Sequence, residues 1–219
     1  MQIVNLVLEA SDILSLRQFY NYVLEMPVSS NKHSCTLSFG KTDIIFRKND
    51  QLENLVYHYA ITIPSNKIEE AKEWLSLRVK LLWLDDYQSV IADFHNWNAK
   101  SVYFLDAAGN IVELIARFDL ENETDEPFNF IQLLSVSEIG LVFRKDEIEF
   151  RTKELIKTYS LPYFIKQPPL PTFKALGDDE GLFIIVPEKR SWFATNTPAE
   201  ILPLDVEFEN AGNQYHLKF

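Results

Sequence analysis

The sequence predicts an α+β fold of repeated βαβββ modules. Three such modules are predicted along the chain, the third of them diverged and followed by C-terminal strands. Short segments with alternating apolar residues, typical of strands, are interspersed with segments whose apolar residues recur at helical spacing. The same order of elements then recurs along the chain, as structural repeats do. Hydrophobic residues make up 47% of the 219 residues, which is enough for a sizeable core.

The first module is predicted at residues 1–50. A strand over residues 3–9 is followed by Ser11-Asp12, which offers a helix cap. The predicted helix carries one apolar stripe, formed by Leu16, Phe19, Tyr20, Val23 and Leu24. Pro27 ends this helix, and three further strands are predicted at residues 28–31, 35–39 and 43–47.

The second module is predicted at residues 55–117. It begins with a strand over residues 55–63, after which Asn66 and Glu69 resemble a capping box. The next helical stripe consists of Ile68, Ala71, Trp74 and Leu75. Strands are predicted at residues 81–84, 101–105 and 111–116, and the last two are joined by a tight turn at residues 106–110.

The third module is predicted at residues 130–219, after an acidic linker at residues 118–129. Its strands are expected at residues 139–143, 172–176 and 182–186, with a helix after the first. Two tail strands, at residues 204–208 and 214–219, are expected to cover an exposed edge. If the first two modules pair with each other, the third keeps an open edge, and a homodimer is predicted to close it; the tail strands are the alternative.

Charge and cysteine content exclude several classes of function. The chain has 21 Lys and Arg against 32 Asp and Glu, a net charge of -11 that would repel a nucleic-acid backbone. Its apolar runs are too short to span a membrane, and no signal peptide is recognisable, so we expect a cytoplasmic protein that binds neither nucleic acid nor membrane. The single cysteine, Cys35, excludes an internal disulfide and a cysteine-based metal cluster.

His58 and Glu113 are the main candidates for metal ligands. Alternation along the strand at residues 55–63 places His58 on the face opposite Tyr57 and Tyr59. Glu113 lies within an apolar strand, where an ionised carboxylate is costly unless it is paired or coordinated. An imidazole and a carboxylate on neighbouring strands suit Fe, Mn, Ni or Zn. The alternatives are a hydrogen-bonded core histidine and an outward-facing charge.

Asn5 is a third, weaker candidate ligand. The segment that begins at Asn5 aligns with the segment that begins at His58, so the two residues occupy equivalent places in their modules. The amide oxygen of asparagine suits transition metals less well than imidazole does. Ile44 or Ile45 stands where the first module would match Glu113, so this corner offers no ligand.

The longest connection within a module, residues 85–100, is a candidate lid over a binding site. Long loops rich in aromatic and polar groups often bind ligands. Its candidate substrate-binding residues are Tyr87, Phe94, Trp97 and Asn98. The alternative is a packed surface loop in which His95 is solvated and Trp97 anchors the loop to the sheet.

Two segments of this chain resemble the vicinal oxygen chelate superfamily. They are residues 101–116 (SVYFLDAAGNIVELIA) and residues 3–12 (IVNLVLEASD) with the following Phe19-Tyr20. This superfamily includes glyoxalase I, extradiol dioxygenases, fosfomycin-resistance enzymes and bleomycin-binding proteins. The resemblance implies that two βαβββ modules pair into one curled mixed sheet, which forms a cup around a divalent metal. The implied ligand positions are Asn5, Ile44 or Ile45, His58 and Glu113, and in the third module Glu138 and Ile185.

The resemblance implies a glyoxalase-like protein that binds a small oxygen-bearing or aromatic molecule in the cup. One hypothesis is a metal-dependent lyase, isomerase or dioxygenase, in which the metal chelates adjacent substrate oxygens and His95 or Tyr103 acts as an acid or base. The other is a non-catalytic binding protein, for a drug or metabolite, with a degenerate metal site. Its pocket would use Phe94, Trp97 and Tyr57 or Tyr59.

Overall fold

The structure of this chain is a computed structural model that describes residues 1–52 and 55–219. Within these residues thirteen strands form two mixed sheets. The strands are β1 (Gln2–Ala10), β2 (Val28–Ser30), β3 (Ser34–Phe39), β4 (Thr42–Lys48), β5 (His58–Ile63), β6 (Ile91–Phe94), β7 (Ala99–Leu105), β8 (Ile111–Arg117), β9 (Ser135–Phe143), β10 (Lys174–Asp178), β11 (Gly181–Pro187), β12 (Leu204–Asn210) and β13 (Asn213–Lys218). The helices are α1 (Ile13–Gln18), α2 (Ile68–Ser76) and α3 (Ile148–Tyr159). The predicted α+β class with repeated βαβββ modules is confirmed.

The first module folds as β1-α1-β2-β3-β4. Asp12 caps α1, because its carboxylate accepts a hydrogen bond from the backbone N–H of Ser15 at 3.0 Å. The helix continues as a π-helical turn over Phe19–Val23, and its stripe buries Leu16 and Tyr20 against the sheet. The parallel pair of β1 and β4 completes the module.

The second module differs from its prediction in two places. The expected strand at residues 81–84 is reduced to isolated bridges at Leu81 and Leu84, and β6 forms instead within the predicted lid. Because β6 pairs with β7, the middle of this segment is the edge of a sheet rather than a loop. The predicted capping box is also wrong, since the side chain of Asn66 donates to the carbonyl of Thr124 at 3.0 Å.

The pairing of modules differs from the sequence-based expectation. The seven-stranded sheet has the order β10-β11-β9-β5-β8-β7-β6, so the second module pairs with the third through the antiparallel strands β5 and β9. The expected pairing of the first and second modules is therefore wrong. Every residue of β5 is buried and every residue of β9 is buried or half-buried, as suits the centre of a sheet covered on both faces.

The first module pairs with the C-terminal hairpin in a six-stranded sheet of order β13-β12-β1-β4-β3-β2. The strands β12 and β1 run antiparallel, with Val206 opposite Leu6. The tail strands therefore cover an edge as predicted, but it is the edge of β1 and not that of the third module. This arrangement removes the open edge on which the homodimer prediction was based, and the homodimer stays a prediction.

A continuous hydrophobic core lies between the two sheets. Polar contacts also connect them: the hydroxyl of Thr42 donates to the carbonyl of Ile3 at 2.7 Å and accepts from the N–H of Val136 at 3.1 Å. Gly40, with φ of 50°, approaches the backbone of Leu134 so closely that a Cβ would lie 2.1 Å from its oxygen. Among the described residues, no helix is long and apolar enough to cross a membrane.

Candidate functional site

The concave face of the seven-stranded sheet, which points away from the core between the sheets, borders a cavity of about 180 Å³. The residues that line it are His58, Phe94, Trp97, Tyr103, Glu113, Glu138, Gln167, Phe173, Ile184, Arg190, Trp192 and Phe193. The cavity therefore combines a small set of ionisable groups with aromatic walls. This combination is typical of small-molecule sites.

Three ionisable side chains converge in this cavity. One ligand atom from each of His58, Glu113 and Glu138 lies within 4.8 Å of the others, and all three residues are buried. The strand register explains this convergence. Ala60 pairs with Glu113 on one side and with Glu138 on the other, so that both carboxylates flank a residue with a small side chain. His58, two residues before Ala60 on the same strand, shares their face.

The imidazole of His58 is held in one orientation. Its Nδ1 lies 3.1 Å from the carbonyl oxygen of Ile111, which can only accept, so we assign the ring proton to Nδ1. The remaining nitrogen, Nε2, then faces the carboxylate of Glu113 at 3.7 Å as a free electron-pair donor. Burial lowers the pKa of His58 and favours the neutral ring. A fixed, neutral imidazole is what a metal ion requires.

The two carboxylates are destabilised in their charged forms. Burial raises the pKa of Glu113, while the hydroxyl groups of Ser101 and Tyr103 oppose this rise. Burial and the charge of Glu113 raise the pKa of Glu138 to about 7. Two carboxylates in one buried site repel each other, and a cation between them relieves this repulsion.

Arg117 supplies part of that positive charge. Its side chain is fully buried, donates to Glu138 and lies 3.7 Å from Asp179. The guanidinium also lies over the ring of Trp97, 5.6 Å from its centre. Arg117 therefore holds the carboxylate of Glu138, whereas Glu113 has no ion pair with an arginine or lysine among the described residues.

This set of donors fits a divalent metal ion. One neutral imidazole nitrogen and two carboxylate oxygens suit Fe, Mn, Ni or Zn. The position related to Glu113 by the pseudo-twofold symmetry of the two modules is Ile184, which lines the cavity and offers no ligand. The sequence-based assignment of this position to Ile185 is off by one residue, since Ile185 belongs to the core between the sheets.

Aromatic side chains close the cavity on the other sides. Trp192 packs beside His58 with 5.2 Å between ring centres, and Phe193 lies edge-on to Tyr103 at 5.3 Å. Both belong to the segment after β11, where Gly140 leaves room for the indole ring of Trp192. The indole N–H of Trp97 donates to the side chain of Gln167 at 3.1 Å. These contacts shield the ionisable groups from water.

The structure brings some of the predicted site residues into the cavity and leaves others outside. Besides His58 and Glu113, the cavity contains Tyr103, Phe94 and Trp97. The predicted site residues that do not line it are Asn5, Tyr57, Tyr59, Tyr87, His95 and Asn98.

The residues outside the cavity have other contacts. His95 has an 87% exposed side chain and lies 3.3 Å from Asp93. Tyr87 packs edge-on against Phe94 at the rim, and Asn98 donates to Asp119 at 2.7 Å. The structure therefore does not bring His95 to the ionisable groups.

Asn5 does not belong to the cavity. It lies on β1 in the six-stranded sheet, opposite Glu207 of β12, whereas the three converging groups lie in the other sheet. Its assignment as a metal ligand depended on pairing the first module with the second. Tyr57 and Tyr59 belong to the core between the sheets, and the hydroxyl of Tyr59 lies 2.5 Å from that of Tyr20.

The sequence analysis gave too little weight to one candidate ligand and did not identify the segment that closes the cavity. Glu138 was recognised only as the equivalent of His58 in the third module, although it stands in an apolar strand as Glu113 does. Arg117 ends the strand of Glu113 and carries the same kind of signal, a charge within an apolar run. Arg190, Trp192 and Phe193 lie in the proline-punctuated tail, where no periodicity indicates that the chain returns to the cavity.

No family model matches this chain, and no curated protein matches it either. Solved structures do match. A protein from Bacillus subtilis described as a putative dioxygenase is 15% identical over 100% of this chain, with a TM-score of 0.57. Glyoxalase I from Zea mays is 15% identical over 85% of this chain, with a TM-score of 0.55. The chain spans 66% of the length of each. This chain therefore has the fold of glyoxalase I and of the putative dioxygenase.

Proposed function

We propose that this chain is a divalent-metal-dependent enzyme of the vicinal oxygen chelate type, which converts a small oxygen-bearing molecule in the cavity. The observation that carries this proposal is the convergence of three buried donors, His58, Glu113 and Glu138, within 4.8 Å. Buried carboxylates without a compensating cation are costly, so such a cluster is favoured when it serves a bound ion. Fe, Mn, Ni and Zn all suit these donors.

A metal in this place would act as a Lewis acid on the oxygen atoms of the substrate. The protein's own residues prepare the site. The carbonyl of Ile111 orients His58, and Arg117 holds Glu138. Burial and the charge of Glu113 raise the pKa of Tyr103 well above its usual value, so its hydroxyl keeps its proton and serves as a donor. The aromatic walls exclude water, which strengthens each of these interactions. A lyase, an isomerase and a dioxygenase would all need this arrangement.

Metal titration of the purified protein tests this proposal. We expect one divalent ion per chain for the wild type, measured by elemental analysis after dialysis and by calorimetry. His58→Ala should lose this binding. His95→Ala, which removes an exposed histidine of the same module, is the matched control and should bind as the wild type does. A wild type that binds no ion at micromolar concentration, or a His58→Ala protein that binds normally, contradicts the proposal.

The second candidate is a non-catalytic protein that binds a drug or metabolite. Two observations favour it: Arg117 already compensates one carboxylate, and Ile184 leaves the fourth ligand position apolar. A thermal-shift screen identifies ligands, because a bound compound stabilises the folded state by mass action. Chemical conversion of a stabilising compound would exclude this candidate, while unchanged recovery of every such compound would favour it.

A further inference from the structure

Arg190 is a cationic side chain that lines the cavity and has no acidic partner among residues 1–52 and 55–219. Its one side-chain hydrogen bond is long, from Nη1 to the carbonyl of Ser191 at 3.4 Å. The guanidinium lies over the ring of Phe173, 5.4 Å from its centre. Arg190 is thus held in place by an aromatic ring and keeps most of its donors free.

Other cations near this end of the sheet are paired. Lys166 binds Asp119 and Asp179, at 2.6 and 2.7 Å. Arg117 binds Glu138. Arg190 differs from these two cations, because it lines the cavity without an ion pair among the described residues. Partial burial of a guanidinium without an acceptor is unfavourable, and an incoming anion would remove this cost.

The cavity limits the size and shape of such an anion. An apolar cavity of about 150 Å³ holds benzene, and this cavity of about 180 Å³ therefore suits one ring with small substituents. Phe94, Trp97 and Phe173 offer flat surfaces for such a ring. The ionisable groups and Arg190 border the same small space, and the charge of Arg190 adds to the effect of burial in lowering the pKa of His58.

We propose that Arg190 binds the carboxylate of a small aromatic acid, whose ring lies between the aromatic walls. This inference rests on the proposed function, because it defines the substrate class of the same site. A planar carboxylate matches the two parallel donors of a guanidinium. The oxygen-bearing end of the same molecule then faces His58, Glu113 and Glu138. A single carboxylate fits better than a dianion, because the cavity already contains two acidic side chains.

Benzoate and its neutral analogue benzamide are suitable probes, and the fluorescence of Trp97 and Trp192, both in the cavity wall, reports their binding. We expect the wild type to bind benzoate about 10-fold or more tightly than benzamide, since a hydrogen bond between two charged groups is stronger than one between neutral groups. Arg190→Gln should remove this preference and leave benzamide binding unchanged. Lys189→Gln removes the same charge from the neighbouring exposed residue and should preserve the preference.

Three outcomes would each overturn the inference. The wild type binds benzoate and benzamide with equal affinity, it does not bind benzoate at millimolar concentration, or Arg190→Gln and Lys189→Gln have equal effects. A cooperative unfolding transition of Arg190→Gln at the wild-type temperature checks its fold. Metal titration separates this inference from the proposed function. Arg190→Gln should bind metal as the wild type does, and the wild type should keep its preference for benzoate when a chelator removes the metal. If the protein binds no metal but distinguishes the two probes through Arg190, the proposed metal-dependent enzyme is contradicted and the inference about Arg190 is supported.

Discussion

At the scale of single residues, the charge balance at the floor of the cavity determines how the metal-free protein responds to pH. Glu138 is buried beside Glu113, and its pKa is raised to about 7. In the unfolded chain the same group has an ordinary pKa near 4.3. The folded state therefore binds a proton that the unfolded state releases between these values. This term stabilises the protein at low pH and is lost as the pH rises through 7.

Glu138→Gln should remove this pH dependence from the metal-free protein. The variant carries no titrating group at this position, so its melting temperature should rise relative to the wild type between pH 5 and pH 8. The expected difference across this range is about 3 kcal/mol at most. Glu123→Gln, which removes an exposed carboxylate of the linker, is the control. Melting curves at several pH values in the presence of a chelator provide the measurement, and a difference that stays constant with pH would contradict this prediction.

Tyr103 should support metal binding through Glu113. It pairs with Glu113 across β7 and β8, and its hydroxyl opposes the rise in the pKa of that carboxylate. Tyr103→Phe should therefore weaken metal affinity by about 10-fold or more, the effect typical of groups that support a metal ligand. Tyr87→Phe, at the rim of the cavity, should have no effect. Calorimetric titration of both variants measures this difference, and equal affinities would show that the Tyr103 hydroxyl does not support Glu113.

At the scale of elements, the packing of Trp192 on β9 depends on a glycine. A Cβ at position 140 would lie 2.4 Å from the indole ring of Trp192. Gly140→Ala should therefore displace Trp192 from the cavity wall and destabilise the fold by about 1–3 kcal/mol, as overpacking does. The melting temperature and the binding of benzoate should both fall. In the double variant Gly140→Ala/Trp192→Phe the smaller ring should restore part of the stability, and strictly additive effects would show that the two positions do not interact.

Local patterns predicted most elements but not their long-range partners. The stripe that contains Leu16 and Tyr20 and the alternation in β5 depend on neighbours in the chain, and both elements were predicted near their observed positions. The contact between β5 and β9 joins residues far apart in sequence. The alternation of apolar residues along β5 is equally compatible with a pairing between β5 and β1. Burial on both faces of β5 and β9, which the sequence only suggests, distinguishes these pairings.

The candidate site was predicted where a charge interrupts an apolar strand. Glu113 was identified by this signal and Glu138 carries it too, whereas His58 was identified from the alternation along its strand. Asn5 was proposed because its segment aligns with that of His58, but it lies in the other sheet. Arg190 and Trp192 could not be predicted in the same way. They lie outside regular strands and reach the cavity only because the chain returns across the sheet after β11.

At the scale of the whole molecule, the two sheets differ in what pairs with each module. The second and third modules pair with each other and enclose the cavity. The first module pairs with the short hairpin of β12 and β13, whereas the second module pairs with a whole module. This hairpin contributes four buried apolar side chains to the core between the sheets: Leu204, Val206, Phe208 and Leu217.

Removal of residues 204–219 should therefore destabilise the whole protein and not only the six-stranded sheet. The truncation would expose the edge of β1 and part of the core that both sheets share, and an exposed apolar edge strand promotes aggregation. We expect the truncated chain to lose its cooperative unfolding transition and to form large species in light scattering. The control is a chain that lacks only Phe219, which follows β13, is 41% exposed and does not belong to the core between the sheets, so that this chain should fold normally. If the truncated chain unfolds cooperatively at the wild-type temperature and remains a small species, the hairpin does not stabilise the core, and the seven-stranded sheet is stable without it.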